Sequence, residues 1–317
     1  MKLATIKDGS RDGQLAVVAR DLRTAHMADA IAPTLRAALD DWGFIAPQLD
    51  ALYGQLNSGQ ARRAFDFDPA ACMAPLPRAH GLASAAAWTH SLAIDEPLTT
   101  QGGGELLGPH DDIVLAHEEW GIDFGAGIAA ILDDLPAGST PDEAHGRIRL
   151  LMLANEVTLR NLMPDELAKG GGPLQARPAI GFSPVALTPD ECGDAWRGGK
   201  LHLRIKSTWN GNLVGQPDAG ADMAFNFPQL IAHLCKTRAL QAGSIVCAGP
   251  VSNKASSKRG VPAPGYACIA QQRSSETIAD GAPSTPYMRF GDTIRIEMVD
   301  EKGKPLFGAI EQKTSKG

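Results

Sequence analysis

GDTIRIEMVDEKGKPLFGAIEQ, residues 291–312, is the stretch whose reading settles the architecture of this chain. It reads as two strands, 293–299 and 307–311, with a Gly-Asp pair ahead of the first and a charged, glycine-containing turn between them. Working upstream, further strands are expected at 112–116, 122–132, 201–206, 244–247 and 266–272. Helices are few. Residues 227–238 set Leu230, Ile231 and Leu234 on one face, with Lys236 and Arg238 near the C-terminal end, where the helix dipole favours cations. Residues 141–156 read as a helix opened by Asp142 and Glu143, while the tail LLMLANEVTLR also suits a strand. Strands without regular βα alternation argue against a doubly wound parallel sheet.

The N-terminal part differs in texture. Residues 3–7 and 14–20 read as a hairpin, with Asp8-Gly9-Ser10 and Asp12-Gly13 supplying turn chemistry. From 32 to 57, Leu35, Leu39, Trp42, Leu49, Leu52, Tyr53 and Leu56 keep helical spacing, and Gly43 and Pro47 are expected to divide two helices. Pro69, Pro75 and Pro77 mark 66–77 as a linker. The chain is therefore expected to be α+β and mainly β, with a small α+β domain at 1–76 and a larger one at 77–317.

Composition bounds the partners. The 317 residues are 44% hydrophobic and 21% charged, which is ordinary for a globular protein with a sizeable core. A formal net charge of −6 gives no electrostatic reason to expect nucleic acid or an anionic membrane as partner. Neither a span-length apolar run nor an export-type start is visible, and Cys72, Cys192, Cys235, Cys247 and Cys268 form no C-x-x-C. A cytoplasmic protein with reduced, mostly core cysteines is expected.

Several blocks occur in a characteristic order: WGIDFGAGIA (120–129), LLMLANEVTLRN (150–161), FSPVALTPDE (182–191), AGPVSN (248–253), GYACIAQQR (265–273) and the opening stretch. Together they resemble the fumarylacetoacetate hydrolase family over nearly the whole chain, with the N-terminal part similar to the accessory domain of bacterial members. The resemblance implies a mixed β-sandwich roll, a homodimer, and chemistry on 1,3-dicarbonyl or 2-oxo acids. It also implies a Mg²⁺ or Mn²⁺ ion on carboxylates and a histidine that activates water.

This chain departs from that pattern where the metal belongs. The family's Asp-x-Glu-x-Glu appears as Asp123, Gly125 and Gly127; its Asn-Asp pair as Asn155-Glu156; its substrate-side lysine as Arg177; and a threonine as Pro250. Arg160, Gly249, Ser252 and Ser183-Pro184 are retained, the segment around Thr89 and His90 is shortened, and the water-activating histidine has no counterpart. One carboxylate does not hold Mg²⁺, which dehydrates reluctantly, so no metal cofactor is expected although Mg or Mn would be the family default.

The candidate catalytic residues are His90, Glu156 and Arg177. His90 reads either as a general base or as a hydrogen-bonded structural histidine beside Trp88. Glu156 reads as a base, a substitute ligand, or the partner of Arg160 four residues on. Arg177 reads as a clamp for a substrate carboxylate or as a solvated cation. Asp123, Gly125, Gly127, Arg160, Gly249 and Pro250 are the candidate substrate-binding positions, the two strand glycines being expected to open volume for a larger ligand. The glycine runs at 102–104 and 170–172 lack a nucleotide-loop context, and His110 and His117 lack zinc spacing. His202 suits a strand's polar face, and Lys254, Lys258 and Arg259 form a small basic loop.

Three functions stay open at this point. One is a metal-independent enzyme acting through an enolate on a small anionic dicarbonyl or oxo acid, by C–C hydrolysis, decarboxylation, tautomerisation or cyclisation. The second is a catalytically degenerate binding or assembly subunit. The third is a standard C–C hydrolase with a substitute metal site.

Overall fold

The computed structural model describes residues 1–88, 97–101, 104–170, 172–254 and 264–317. Two sheets carry the architecture. The larger runs from Phe65–Asp66 through Thr24–Met27, Gln14–Val18, Lys2–Ile6, Ala186–Leu187, Ile148–Glu156, Ala126–Leu132 and Ser244–Pro250 to Gly81–Ala86 and Leu98–Gln101. Ala179–Phe182 also pairs with Ile148–Glu156 and carries Glu105–Leu107 on its other edge. The smaller sheet orders Asn212–Gly215, Ile205–Trp209, Thr293–Val299, Pro305–Lys316 and Ile113–Leu115. Strand exceeds helix, as the sequence led us to expect.

Both faces of the large sheet's centre are covered. Ile128, Ala130 and Leu132 point into a core shared with Ile294, Ile296, Met298 and the helix Phe227–Cys235. Their neighbours Ala129 and Ile131, with Leu150, Met152 and Ile245, point into a second core completed by Leu35, Leu39, Leu49, Tyr53 and Leu56. A strand covered on both faces reads as a near-continuous apolar run, here residues 150–154, which erases the period that separates strand from helix. That is why 148–156, expected as helix with a strand-like tail, is the strand Ile148–Glu156, and helix survives only at Pro141–His145 under a Thr140/Glu143 capping box.

The 76/77 division lies between elements, but the sheet and the second core continue across it. The expected linker is packed: Cys72, Ala74 and Leu76 are buried, and the Thr5 hydroxyl donates to the Pro75 carbonyl at 2.6 Å. Gly43 and Pro47 do not divide the N-terminal helices. The break falls at Asp41, between Leu35–Asp40 and Trp42–Asn57, and both residues lie inside the second helix. The expected strand at 266–272 is instead the start of the helix Ile269–Asp280. All five cysteines are buried and free. Among the described residues no helix is long and apolar enough to cross a membrane.

A candidate active site walled by two arginines

The antiparallel pair Ala126–Leu132 and Ile148–Glu156 sets Ala126 opposite Asn155, so Gly125 lies beside Glu156, whose N–H donates to the Gly125 carbonyl at 2.8 Å. Glu156 ends its strand almost fully buried. Its Oε1 accepts from the Gly249 N–H at 3.0 Å. Its Oε2 accepts from the Ser84 hydroxyl and from Arg177 Nη1, the latter at 3.3 Å. Arg177 is delivered by a turn that Glu166 organises, collecting the backbone N–H groups of Leu174, Gln175 and Ala176 at 3.1, 2.6 and 2.9 Å. Those bonds, the Ala176 one foremost, hold the Glu166 carboxyl below its usual range.

A second arginine–carboxylate pair stands beside the first. Asp123, fully buried, accepts from Arg160 Nε at 2.8 Å and from the backbone N–H groups of Ile269 and Ala270 at 2.6 and 3.1 Å. Burial pushes its carboxyl up, opposed by Arg160 and those two N–H groups. For Arg160, burial pulls down but the charge of Asp123 prevails, so its guanidinium is held above the usual range.

Arg160 and Arg177 both line a cavity of about 440 Å³ whose other walls include Trp88, Met163, Leu167, Pro173 and Pro250, with Thr100, Ser252, Cys268 and Gln271. No Asp, Glu or His stands among the described lining residues. Burial pushes the Cys268 thiol up to about 12, so it offers no thiolate near neutrality. Three buried polar atoms of the lining have no partner among the described residues: Arg177 Nε, Thr100 Oγ1 and Gln271 Oε1.

The candidate residues thus sort unevenly. Arg160, Arg177, Gly249 and Pro250 line the cavity, whereas Asp123 and Glu156 sit behind it as the arginines' counter-ions. The expected pairing of Glu156 with Arg160 is corrected: Glu156 takes Arg177, and Arg160 takes Asp123. Gly125 and Gly127 open no volume. A Cβ on Gly125 would lie 2.7 Å from the Glu156 carbonyl oxygen and 3.0 Å from Pro250 Cγ, and one on Gly127 would lie 2.4 Å from the Gly249 carbonyl oxygen. Gly127 admits the 249–250 backbone, which pairs with Ala126–Leu132 through a register shift, and Gly125 admits the Glu156 carbonyl and the Pro250 ring. His90, with Thr89, lies outside the described residues.

Sequence reasoning missed Ser84, Glu166 and Gln271. A serine within the apolar run Ala83-Ser84-Ala85-Ala86 is a legible signal, because a buried hydroxyl needs a partner. Gln271 was hidden by the strand reading of its block.

The donors present do not fit Mg²⁺ or Mn²⁺. Asp123 and Glu156 each already accept three hydrogen bonds, one of them from a guanidinium that would repel a dication. Among the described residues no group of three or more His, Cys, Asp or Glu is placed to hold a metal.

Residues 1–78 match the family described as fumarylacetoacetase N-terminal domain 2, and residues 79–314 the fumarylacetoacetate (FAA) hydrolase C-terminal family. The chain belongs to the fumarylacetoacetate hydrolase family. It is 24% identical over 157 residues to the oxaloacetate tautomerase YisK of Bacillus subtilis (strain 168), a match covering 49% of this chain and 48% of that protein. The chain thus spans about half the length of that curated relative. In fold it is similar to a probable 2-hydroxyhepta-2,4-diene-1,7-dioate isomerase from Mycobacterium abscessus, at 19% identity and a TM-score of 0.68 over 100% of this chain and 99% of that one. It is also similar to the maleylpyruvate hydrolase of Sphingobium sp. SYK-6 in complex with manganese(II) and pyruvate, at 16% identity and a TM-score of 0.66, with 100% of both chains covered.

Proposed function

We propose that this protein is an enzyme that binds a small, enolisable dicarbonyl or oxo acid in the 440 Å³ cavity and processes it without a divalent metal. The observation that carries the reading is the state of Arg177. Its Nη1 is fixed on Glu156, while its Nε–H is buried at the cavity wall with no partner among the described residues. A buried donor left unmade costs about 1–3 kcal/mol, a debt that a ligand oxygen would cancel. Arg177 then donates to the substrate's carboxylate or carbonyl oxygen, and because guanidinium keeps its charge it opposes the negative charge that develops as an enolate forms. Arg160 supplies a second positive wall, and the apolar residues exclude water and strengthen both interactions. His90 is the proposed proton acceptor, as the imidazole nearest this wall in sequence. The protein is proposed to work as a cytoplasmic homodimer with a small-molecule partner, neither nucleic acid nor membrane being involved.

The test is proton exchange at the α-carbon of oxo acids, followed by NMR in D₂O with excess chelator, together with product analysis. Exchange or turnover in chelator is expected, and Arg177→Ala should lower kcat/KM about a hundredfold, equivalent to about 2.7 kcal/mol. Activity abolished by chelator and restored by Mg²⁺ or Mn²⁺ would instead establish a substitute metal site. A second reading, a subunit that binds the acid without turning it over, is favoured by the lack of any Asp, Glu or His among the described cavity residues. Saturable binding with no exchange would establish it.

A further inference from the structure

Gln271, near the start of the helix Ile269–Asp280, donates its Nε2–H to the Ser252 hydroxyl at 3.0 Å, and its Oε1 is buried in the cavity wall without a donor among the described residues. In the same lining Arg177 Nε–H is a donor without an acceptor among the described residues. Among the described residues the cavity therefore holds, beside the Thr100 hydroxyl that can donate or accept, one open charged donor and one open neutral acceptor. A ligand that cancels both must bring an anionic or carbonyl oxygen and an O–H or N–H.

The charge balance narrows the class further. Each arginine of the wall is already matched by one buried carboxylate, Asp123 for Arg160 and Glu156 for Arg177, so these four groups sum to zero. The remaining described walls are mainly alanine, tryptophan, methionine, leucine and proline side chains. One ligand carboxylate can share the Arg177 guanidinium with Glu156. A second carboxylate in the same apolar space would be desolvated with no further cation among the described lining residues to meet it, and uncompensated buried charge is strongly unfavourable.

We propose that the cavity selects a singly charged acid with an apolar body in its enol or hydroxy form, Gln271 accepting the ligand's O–H and Arg177 holding its carboxylate. Gln271 is thus the residue that sets tautomer preference, and the neutralised arginine pairs set charge preference against dicarboxylates. The assignment rests on the reading of the cavity as an oxo-acid site and adds to it a substrate class. The oxaloacetate and the heptadienedioate named for two of its relatives are dicarboxylates, so the selectivity expected here is the opposite in charge.

Isothermal titration of the full chain in excess chelator tests this with acetylpyruvate, a longer straight-chain acylpyruvate, oxaloacetate, and the O-methyl enol ether of the longer acylpyruvate. Acetylpyruvate is expected to bind at least about tenfold tighter than oxaloacetate, and the longer chain tighter still. The ether should bind about tenfold more weakly than its parent to the wild type, and equally with it to Gln271→Leu. Gln271→Glu keeps an acceptor while adding charge. It should weaken every acid yet preserve the enol-over-ether difference, which separates a lost contact from a lost fold. Oxaloacetate binding as tightly as acetylpyruvate would overturn the charge selectivity. An ether that binds the wild type as well as its parent would overturn the role of Gln271, because the amide would then present its nitrogen. Binding of none of these acids would overturn the oxo-acid reading itself, and this assignment with it.

Discussion

A Cβ on Gly127 would sit 2.4 Å from the carbonyl oxygen of Gly249, and no flexible side chain is there to give way. Reinstating the family's carboxylates by Gly125→Glu and Gly127→Glu therefore forces the Ser244–Pro250 strand off its partner instead of rebuilding a metal site. The double variant should lose about 2 kcal/mol or more of stability and gain no Mg²⁺- or Mn²⁺-dependent rise in Tm. Thermal melts with and without each ion check both points. Lys2 makes a second residue-scale case. It is buried, its Nζ donates to the Arg20 carbonyl at 3.0 Å, and burial draws its pKa down to about 8 despite the nearby Glu191. A lysine whose folded pKa lies below its unfolded value makes the unfolded state the greater binder of protons, so stability rises with pH from about 8 to the ordinary lysine range. Urea denaturation across that window should show a gain of about 2 kcal/mol in the wild type and a flatter profile in Lys2→Met.

At the scale of elements, the helix Ile269–Asp280 is begun by a residue from far away in the chain. Its N-cap position, Cys268, makes no side-chain cap, and the first two backbone N–H groups are taken by Asp123. One carboxylate thus fixes Arg160 on the cavity wall and starts the helix that carries Gln271. Asp123→Ala should destabilise the protein by about 2 kcal/mol or more, since Arg160 loses its buried counter-ion and two helix N–H groups lose their acceptor. Hydrogen exchange should locate the effect: protection falls at 269–272 while Thr293–Val299, in the other sheet, keeps its own. Uniform loss at both would show that Asp123 supports the core generally and does not start the helix.

For the whole molecule the decisive feature is the second core, in which N-terminal helices cover one face of strands from the rest of the chain. Ile131, Leu150, Met152 and Ile245 lie there fully buried against Leu35, Leu39 and Leu49. Each such side chain contributes roughly 1.5–3 kcal/mol by burial, so removing the layer forfeits as much as the net stability of a typical domain. A chain starting at residue 77 is expected to be insoluble or molten, judged by dye binding and loss of near-UV dichroism, although family matching divides the sequence at 78/79. Light scattering of the intact chain at micromolar concentration should give a dimer, as proposed above.

The sequence by itself determined the family, the excess of strand over helix, and the N-terminal hairpin. These are written in local patterns: an alternating strand such as 293–299, an Asp-Gly turn, an ordered series of blocks. It also pointed to Arg160, through its place in the 150–161 block, and to Arg177, through the family resemblance, and both line the cavity. Tertiary structure alone decided the rest. Within Ile148–Glu156 the run 150–154 is apolar at every position because both faces are covered, so those residues carried no period to read. The partner of each arginine depended on which strands became neighbours: Glu156 is four residues from Arg160 yet meets Arg177, because a strand end and a distant turn converge on it. The glycines looked like open space along the chain, yet Gly127 seats the 249–250 backbone and Gly125 the Glu156 carbonyl and Pro250 ring, contacts across the sheet that no local pattern records. Gln271 became a wall of the cavity because Asp123, almost 150 positions earlier in the sequence, accepts the first N–H groups of its helix.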